Sequence, residues 1–249
     1  MVALAVAGQG MAQTWYSTGF EAPTYTNGSP IGGVDDWFNG SGAGASQSVS
    51  TNQAFGGSQS LMFDNTTLSS FYSVRRALPE YGTTPINVSI RLYVEGGTEA
   101  NRLYGLYLVS GATSTLGGTA LGLTIGGDGV VRAGANWSST YSGPGVFQAD
   151  PGTFLDRWLT INFQYDPNTQ QGMTSISGFS GANSSYSGTF NVTAATVLGL
   201  NIGTDYFTST NRAGRAYFDN LVIGAVPAPG AIALLGVAGL VGARRRRSA

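Results

Sequence analysis

Cysteine, histidine and lysine are absent from this sequence of 249 residues, and charged residues make up only 10 % of it. Without cysteine there is no disulfide bond and no thiolate nucleophile, and without histidine there is no Ser-His-Asp triad and no Cys/His zinc site. Ordinary soluble domains contain about 25 % charged residues. The polar surface must therefore consist mainly of hydroxyl and amide side chains.

The few charges are unevenly distributed. All twelve basic residues are arginine, and four of them are the consecutive Arg244, Arg245, Arg246 and Arg247. The rest of the chain carries eight arginines against thirteen Asp and Glu, a net charge of −5. This mildly acidic body has no basic face for a phosphate backbone, which argues against nucleic acid as a partner.

Between the two ends, apolar and polar residues alternate in short runs. INVSIRLYVE places five apolar residues, from Ile86 to Val94, on one face. RWLTINFQYD repeats the pattern, and a turn at Asp166-Pro167-Asn168 leads into MTSISGF as the partner strand. Further strands are predicted at Gln59–Asp64, Phe71–Leu78, Leu103–Val109, Ala120–Ile125, Val130–Ala135, Val197–Ile202 and Ala216–Ile223. With no helical period in the body, the sequence predicts an all-β fold, an antiparallel β-sandwich.

No Pro/Ser-rich linker interrupts residues 13–225, so we expect them to form one domain. The stretches GFEAP, QAFGGSQSLMFDN, RWLTINFQYD and YFDNLVIG resemble concanavalin A-like (laminin G-like) jelly rolls of exported bacterial proteins. Because jelly rolls pair their terminal segments, the resemblance predicts that the segments around Thr18–Glu21 and Ala216–Ile223 are neighbouring strands.

Residues 1–12 have the features of the back half of a secretory signal peptide. Val2–Ala7 is apolar, and the small residues Gly10 and Ala12 stand at positions −3 and −1 of a cleavage site. The alternative is an ordinary apolar first strand.

The C-terminal residues 226–249 form a second targeting signal. Ala231–Ala243 is uncharged and apolar, and as a helix it would span about 20 Å, short of a hydrocarbon core near 30 Å. We expect a short hydrophobic helix here, which Pro227 and Pro229 keep from extending upstream. Because clustered arginine stays on the cytoplasmic side, the body is expected outside the inner membrane.

The order of parts in this tail resembles the PEP-CTERM sorting signal of bacterial exosortase substrates. Val226-Pro227-Ala228-Pro229-Gly230 stands in the place of the Pro-Glu-Pro motif, followed by the apolar run and the arginines. The departure is Ala228, where the family has Glu. The resemblance implies transient insertion in the inner membrane, processing by an exosortase-type membrane protease, and a mature protein at the cell surface or outside the cell.

No catalytic residues are predicted. Enzymes of this fold that cut β-glucans carry carboxylates at i, i+2 and i+4 of one strand, which places them on one face. None of the glutamates has an aspartate two positions away; they are Glu21, Glu80, Glu95 and Glu99.

Three aspartates are candidate calcium ligands, and calcium is the one cofactor that the sequence suggests. Asp35 and Asp36 precede Trp37, either as a loop pair of ligands or as a solvated turn before a strand whose tryptophan enters the core. Asp219 alternates with Tyr217, Leu221 and Ile223, so we expect it to face inward with them. It is then either a polar clamp for backbone N–H groups or a metal ligand.

Aromatic residues supply the candidate ligand platform. Trp137 and Tyr141 lie in ANWSSTYSGPG, a run of small residues, and either stack on a sugar or fold back onto the sandwich edge. Trp158 alternates with Thr160 and Asn162 and lies either on a solvent face or in a groove.

Three functions remain open at this point. The first is a non-enzymatic exported protein of the cell surface or extracellular matrix, whose jelly roll either binds carbohydrate, with extracellular polysaccharide as partner, or packs into the matrix. The second is a glycan-active enzyme, a glycosidase or lyase, with a non-standard site. The third is a purely structural surface component without a ligand.

Overall fold

The computed structural model describes residues 13–41, 47–66, 72–78, 84–100, 102–110, 119–137, 145–193, 197–206 and 213–226. They form two antiparallel sheets packed as a sandwich, which confirms the predicted all-β fold. One short 3-10 helix, Pro151–Thr153, is the only helix in this part of the chain. Within these residues, no helix is long and apolar enough to cross a membrane. The predicted C-terminal helix lies outside them.

The first sheet has eight strands. Seven follow the order β13-β12-β11-β6-β15-β4-β3, and β1 pairs with β15 beside this path. Their bounds are β1 Thr14–Thr18, β3 Gln47–Ser50, β4 Ser60–Asp64, β6 Ile86–Val94, β11 Trp158–Asp166, β12 Gln171–Ser177, β13 Ser185–Asn191 and β15 Arg215–Ala225.

The second sheet has seven strands in the order β10-β9-β8-β7-β14-β5-β2. Their bounds are β2 Trp37–Ser41, β5 Tyr72–Ala77, β7 Arg102–Val109, β8 Thr119–Gly126, β9 Val130–Trp137, β10 Gly145–Gln148 and β14 Gly199–Tyr206.

Sequence alternation translates directly into burial in the central strands. Along β6 every second residue from Ile86 to Val94 is buried, and β11 repeats this pattern up to Tyr165. The Asp166 carboxylate accepts the Asn168 N–H at 2.9 Å, so the predicted turn joins β11 to β12.

Three strands were not predicted: β3, β10 and β13. The first two are only four residues long, and β13 (SYSGTFN) is rich in Ser and Gly, so none gives a clear apolar alternation.

The core fills the space between the sheets. Val88, Ile90 and Phe163 face it from the eight-stranded sheet, and Leu106 and Leu123 face it from the seven-stranded sheet, all without solvent exposure. Burying one such side chain stabilises the fold by about 1.5–3 kcal/mol.

The two ends of the body pair, as the sequence predicted. β1 lies antiparallel to the second half of β15, with Thr18 opposite Leu221. The paired residues are Thr14–Thr18, slightly earlier than the predicted segment. The first half of β15 pairs with β4 on the same side, so β4 and β1 follow one another along one edge of β15.

A β-bulge between Asp219 and Val222 corrects one prediction. Phe218, Leu221 and Ile223 belong to the core, whereas Tyr217 contacts Tyr93 on the opposite face of the sheet. Asp219 shares that outer face with Tyr217, so it does not face inward with Leu221 and Ile223. The alternation fails because a bulge adds a residue to one strand and resets which side chains face the core.

Candidate functional site

Three aromatic rings form a partly exposed cluster on the outer face of the eight-stranded sheet. The Trp158 ring lies 5.5 Å from that of Tyr93 and 5.7 Å from that of Phe55, measured between centroids. The Arg91 guanidinium lies 4.2 Å from the centre of the Phe55 ring. Phe55 is 43 % exposed, the most exposed large hydrophobic residue in the described part of the chain. Phe55, Arg91, Tyr93 and Trp158 are called the aromatic surface below.

Strand register brings two of these rings together. Tyr93 of β6 lies directly opposite Trp158 of β11, and Arg91 lies opposite Thr160. Residues opposite one another on adjacent strands hold their Cβ atoms about 4.5–5.5 Å apart, which allows the two rings to pack against each other as observed. Phe55 belongs to the connection between β3 and β4, and its ring packs against Trp158 and Arg91 on the outer face of the sheet.

The carboxylate of Asp219 holds this connection against the sheet. Its Oδ2 accepts the N–H groups of Phe55 at 2.7 Å and of Gly56 at 3.0 Å, and its Oδ1 accepts the N–H of Asn220 at 2.6 Å. Asp219 is fully buried. Burial raises its pKa above the ordinary value, although the three N–H donors favour the ionised form. The predicted polar clamp to backbone N–H groups is therefore confirmed.

Glu21 holds the other end of the same connection. Its Oε1 accepts the N–H groups of Ser58 and Gln59, both at 2.9 Å, and its Oε2 accepts the Ser58 hydroxyl at 2.9 Å. Burial opposes ionisation, but these donors outweigh it and lower the pKa of Glu21. Together the two carboxylates fix where Phe55 lies.

Hydroxyl and amide groups adjoin the rings. Thr160 and Asn162 continue the outer face of β11, and Ser89 and Ser175 lie opposite Asn162 on the two neighbouring strands. The Arg91 Nη1 donates to the Thr160 Oγ1. Neutral hydroxyl and amide groups, which can both donate and accept hydrogen bonds, therefore lie beside the three rings.

Carboxylates fix the tyrosines nearby. The Tyr93 hydroxyl donates to Asp156 Oδ1 at 3.2 Å, and burial together with Asp156 raises the pKa of Tyr93. The Tyr217 hydroxyl donates to Glu95 Oε2 at 2.9 Å, and burial and Glu95 raise the pKa of Tyr217 to about 12. Both hydroxyls are therefore protonated at neutral pH.

The carboxylates at one end of β15 are joined by an arginine. Arg215 Nη2 lies 2.7 Å from Asp64 Oδ2, and its Nη1 lies 3.1 Å from Glu95 Oε1. Burial opposes ionisation of Asp64, but Thr66 and Arg215 outweigh it and lower the pKa of Asp64. A general acid needs a raised pKa and a free proton, and the lowered pKa of Asp64 is the opposite of this requirement.

The candidate pair Asp35 and Asp36 belongs to a hydrogen-bonded network. Asp35 Oδ2 accepts the hydroxyls of Tyr16 and Tyr25, each at 2.7 Å, and lies 3.7 Å from Arg76 Nη1. Asp36 is largely exposed and lies 3.5 Å from Arg76 Nη2.

The residue after this pair, Trp37, is buried in the core, as the second of the two predicted alternatives has it. Its Nε1 donates to the Tyr16 hydroxyl at 3.2 Å.

These arrangements do not fit a calcium ion. Asp35 faces donors and a guanidinium, and Asp219 Oδ2 is occupied by two N–H groups. Calcium requires several converging oxygen acceptors. In the described part of the chain, no three His, Cys, Asp or Glu side chains form a group that could hold a metal ion.

The predicted platform of Trp137 and Tyr141 is only partly covered by the described residues. Trp137 ends β9 and pairs through its backbone with Thr119. Its side chain, Tyr141, Pro227–Gly230 and Arg244–Arg247 lie outside what the structure describes. Val226 is described, and its N–H donates to the Pro85 carbonyl at 2.9 Å.

The outer face of the seven-stranded sheet is polar but buried. Arg75, Asn201 and Tyr107 lie opposite one another on β5, β14 and β7. Arg75 Nε donates to Asn201 Oδ1 at 3.0 Å, and Arg75 is only 2 % exposed. Arg75, Tyr107 and Asn201 are called the polar face below.

Sequence reasoning recognised Trp158 but missed Phe55, Arg91 and Tyr93 as its neighbours. The alternation of INVSIRLYVE did indicate that Tyr93 lies on the outer face, because it falls among the polar residues that alternate with the apolar ones. No local pattern could indicate Phe55, because a long loop brings it to the site.

Comparison with protein-family models and with curated protein sequences finds no match. The fold is similar to the globular domain of T. cruzi calreticulin (TM-score 0.55, 10 % identity, 89 % of this chain and 91 % of that one). It is also similar to arcelin-5, a lectin-like defense protein from Phaseolus vulgaris (TM-score 0.53, 7 % identity, 87 % and 99 %).

A third similar structure is a lectin from Bauhinia forficata in complex with GalNAc (TM-score 0.52, 10 % identity, 81 % of this chain and 96 % of that one). The chain also matches a sialidase, with a TM-score of 0.49 and 11 % identity, but it spans only 17 % of that protein. At these identities the likeness concerns the fold: this chain has the jelly-roll sandwich found in lectins.

Proposed function

We propose that the protein is a non-enzymatic carbohydrate-binding protein of the cell surface or extracellular matrix, and that the aromatic surface is its binding platform. The observation that carries the proposal is the partly exposed cluster of Phe55, Tyr93 and Trp158 beside neutral hydroxyl and amide groups. Sugar rings present apolar C–H faces and hydroxyl rims, which match aromatic faces and neutral hydrogen-bonding groups respectively.

The similar structures support this chemistry. They include a lectin-like defense protein and a lectin in complex with GalNAc, both with the same sandwich architecture. Because a fold alone does not fix function, the proposal depends on the aromatic surface and not on the likeness.

The carboxylates favour binding over hydrolysis. Asp64 and Glu95 share Arg215, and the raised pKa of Asp219 belongs to a side chain without solvent exposure. A general acid must reach the glycosidic oxygen, which a fully buried carboxyl cannot do. A glycosidase or lyase with a non-standard site is the alternative that the binding experiment below also tests.

Export and sorting form the second part of the proposal. Residues 1–12 act as a secretory signal, and residues 226–249 act as a sorting signal read by an exosortase-type membrane protease. Support comes from the prolines before the apolar run, the run's short length and the terminal arginines. The mature body then lies outside the inner membrane, where extracellular polysaccharide is available.

The binding test is a glycan array read with the wild type and with Trp158→Ala and Phe55→Ala. We expect the wild type to bind one or more polysaccharides and both variants to lose at least about 10-fold in affinity, since truncating an aromatic anchor of a binding surface costs about 2 kcal/mol or more. Asp36→Asn, which alters an exposed residue elsewhere and keeps a side chain that tolerates the left-handed backbone at this position, is the control. Equal binding by all four proteins would refute the aromatic surface as the binding platform. Cleavage of a glycan would establish the enzyme alternative.

The sorting test is mass spectrometry of the mature protein from the native host. We expect no peptide from Ala231 onward, and we expect deletion of residues 231–249 to release the protein into the medium. An intact C-terminus on the mature protein would refute processing and favour a permanent tail anchor.

A further inference from the structure

The two edge strands of the eight-stranded sheet differ in whether their outer backbone groups are hydrogen-bonded. At one edge, β3 is covered by the preceding segment: Gly28 N–H donates to the Val49 carbonyl at 2.8 Å, and Val49 N–H donates to the Ser29 carbonyl at 3.0 Å. At the other edge lies β13, and among the described residues its only partner strand is β12. An uncovered edge presents unpaired N–H and C=O groups to any other strand.

The backbone hydrogen bonds show which groups of β13 face outward. Just beyond its ends, Val192 N–H donates to the Gln170 carbonyl and the Ser184 carbonyl accepts the Gly178 N–H. The N–H and C=O of one strand residue point to the same side, and successive residues alternate. The even-numbered residues therefore pair with β12, and Ser185, Ser187 and Thr189 turn their N–H and C=O groups away from it.

The outward row ends at Asn191. Its carbonyl accepts the Asn136 Nδ2 at 3.0 Å, so it is already used within the chain. The side chains of Ser185, Ser187 and Thr189 are exposed, which leaves their backbone open to approach.

Features that protect natural edges are missing from β13. It is seven residues long, contains no proline, and pairs with β12 without a bulge. No charged residue occurs between Asp166 and Asp205, so neither β12 nor β13 carries a charge that would repel another strand. By contrast, the edge strands of the seven-stranded sheet, β2 and β10, are short and bulged.

We propose that β13 pairs antiparallel with β13 of a second copy of this chain, in a two-fold register centred on Ser187. Ser187 then lies opposite its own counterpart, and Ser185 lies opposite Thr189 in both directions. This register uses all three outward-facing residues of each copy and leaves the Asn136–Asn191 contact intact. A two-fold axis makes the same patch serve both partners, as is usual in homodimers.

On the outer face this register places only small, uncharged side chains opposite one another: Ser187 lies against Ser187, and Ser185 lies against Thr189. Because Ser187 shares the outer face with Ser175 and Asn162, the pairing joins the two outer faces into one sheet surface. If the proposed function holds, one dimer presents two aromatic surfaces on the same side.

Single-cysteine cross-linking tests the register, because the natural chain contains no cysteine. In full-length Ser187→Cys, the paired Cα atoms would be about 5.5 Å apart, within the range that a disulfide spans. In Thr189→Cys, an equally exposed position on the same strand, the two Cα atoms would be offset by four residues, about 14 Å along the strands. We expect the first variant to form a disulfide dimer at least 10-fold faster than the second under mild oxidation in detergent. Equal rates would refute the pairing, because association through the tail or random collision does not distinguish the two positions.

A proline substitution tests whether the backbone edge is the contact. Ser185→Pro removes an outward N–H and leaves the bonds to β12 in place, so the monomer fold should keep its circular dichroism spectrum. Combined with Ser187→Cys, it should reduce cross-linking at least 10-fold relative to the matched double variant Ser185→Ala with Ser187→Cys. Unchanged cross-linking in the folded proline variant would overturn the proposal. Glycan binding by the monomeric proline variant would be retained, so failure of the pairing and failure of the proposed function are distinguishable.

Discussion

On the two outer faces of the sandwich, an aromatic residue is exposed to solvent on one sheet and polar residues are buried on the other, which is the opposite of the usual distribution. On the eight-stranded sheet, the aromatic surface leaves Phe55 43 % exposed. On the seven-stranded sheet, the polar face holds Arg75 and Tyr107 at 2 % and 0 % exposure. Exposed aromatic rings are available to a ligand, whereas a buried guanidinium is committed to its neighbours. The comparison assigns a stabilising role to the polar face, and under the proposed function it assigns ligand binding to the aromatic surface.

The largest effect is expected where a buried polar group lies beneath the aromatic surface. Asp219→Ala leaves the N–H groups of Phe55 and Gly56 without their acceptor, and each such loss costs about 1–3 kcal/mol. We expect the free energy of unfolding to fall by about 2–5 kcal/mol in urea denaturation. Asp36→Asn, at an exposed carboxylate whose left-handed backbone asparagine also tolerates, should change it by less than about 0.5 kcal/mol. A wild-type midpoint for Asp219→Ala would contradict the clamp.

Two arginines, one from each face, test the comparison directly. Arg75→Met removes a buried donor to Asn201 and should lower the free energy of unfolding by about 1–3 kcal/mol. Arg91→Met, on the aromatic surface, removes a guanidinium above the exposed Phe55 ring and should cost less than about 1 kcal/mol. Urea denaturation of both variants measures the difference, and equal losses would end the distinction between the faces.

A smaller effect, of opposite sign for two carboxylates, is expected with pH. The pKa of Glu21 is lowered on folding, so its stabilisation is present above its ordinary value of 4.5 and is lost as the pH falls. The pKa of Asp219 is raised, so the part of its contribution that depends on its proton is present below its ordinary value of 3.8 and is lost as the pH rises through the folded value. Its hydrogen bonds to the N–H groups of Phe55 and Gly56 remain in the ionised form.

Urea denaturation between pH 3 and pH 6 checks these signs with Glu21→Gln and Asp219→Asn. The stability difference between wild type and Glu21→Gln should grow as the pH rises, and that between wild type and Asp219→Asn should shrink. The same trend for both variants would show that one of the two pKa directions is wrong.

A small effect on stability is expected at Phe55, the exposed ring to which the proposed function assigns ligand binding. Phe55→Ala removes a partly exposed ring that contacts Trp158 and Arg91, and we expect a loss below about 1 kcal/mol together with the loss of glycan binding described above. A loss of several kcal/mol would instead make Phe55 a structural cover for the sheet.

The sequence by itself determined the regular part of this protein. Period-2 alternation predicted the central strands β6 and β11, and the Asp166 turn predicted β12 as the hairpin partner of β11. It also placed Trp158 on the face of β11 opposite Leu159 and Ile161. These features depend on residues close together in the chain, so a local pattern is enough to specify them.

Only the tertiary structure decided the rest. The bulge in β15 moved Asp219 to the face opposite Leu221, and the long β3–β4 connection brought Phe55 to Trp158. The outward-facing edge of β13 followed from strand order and from hydrogen bonds at both ends of the hairpin. The physical reason is that alternation specifies faces only within an unbroken strand, whereas loops, bulges and edges depend on contacts between residues far apart in sequence.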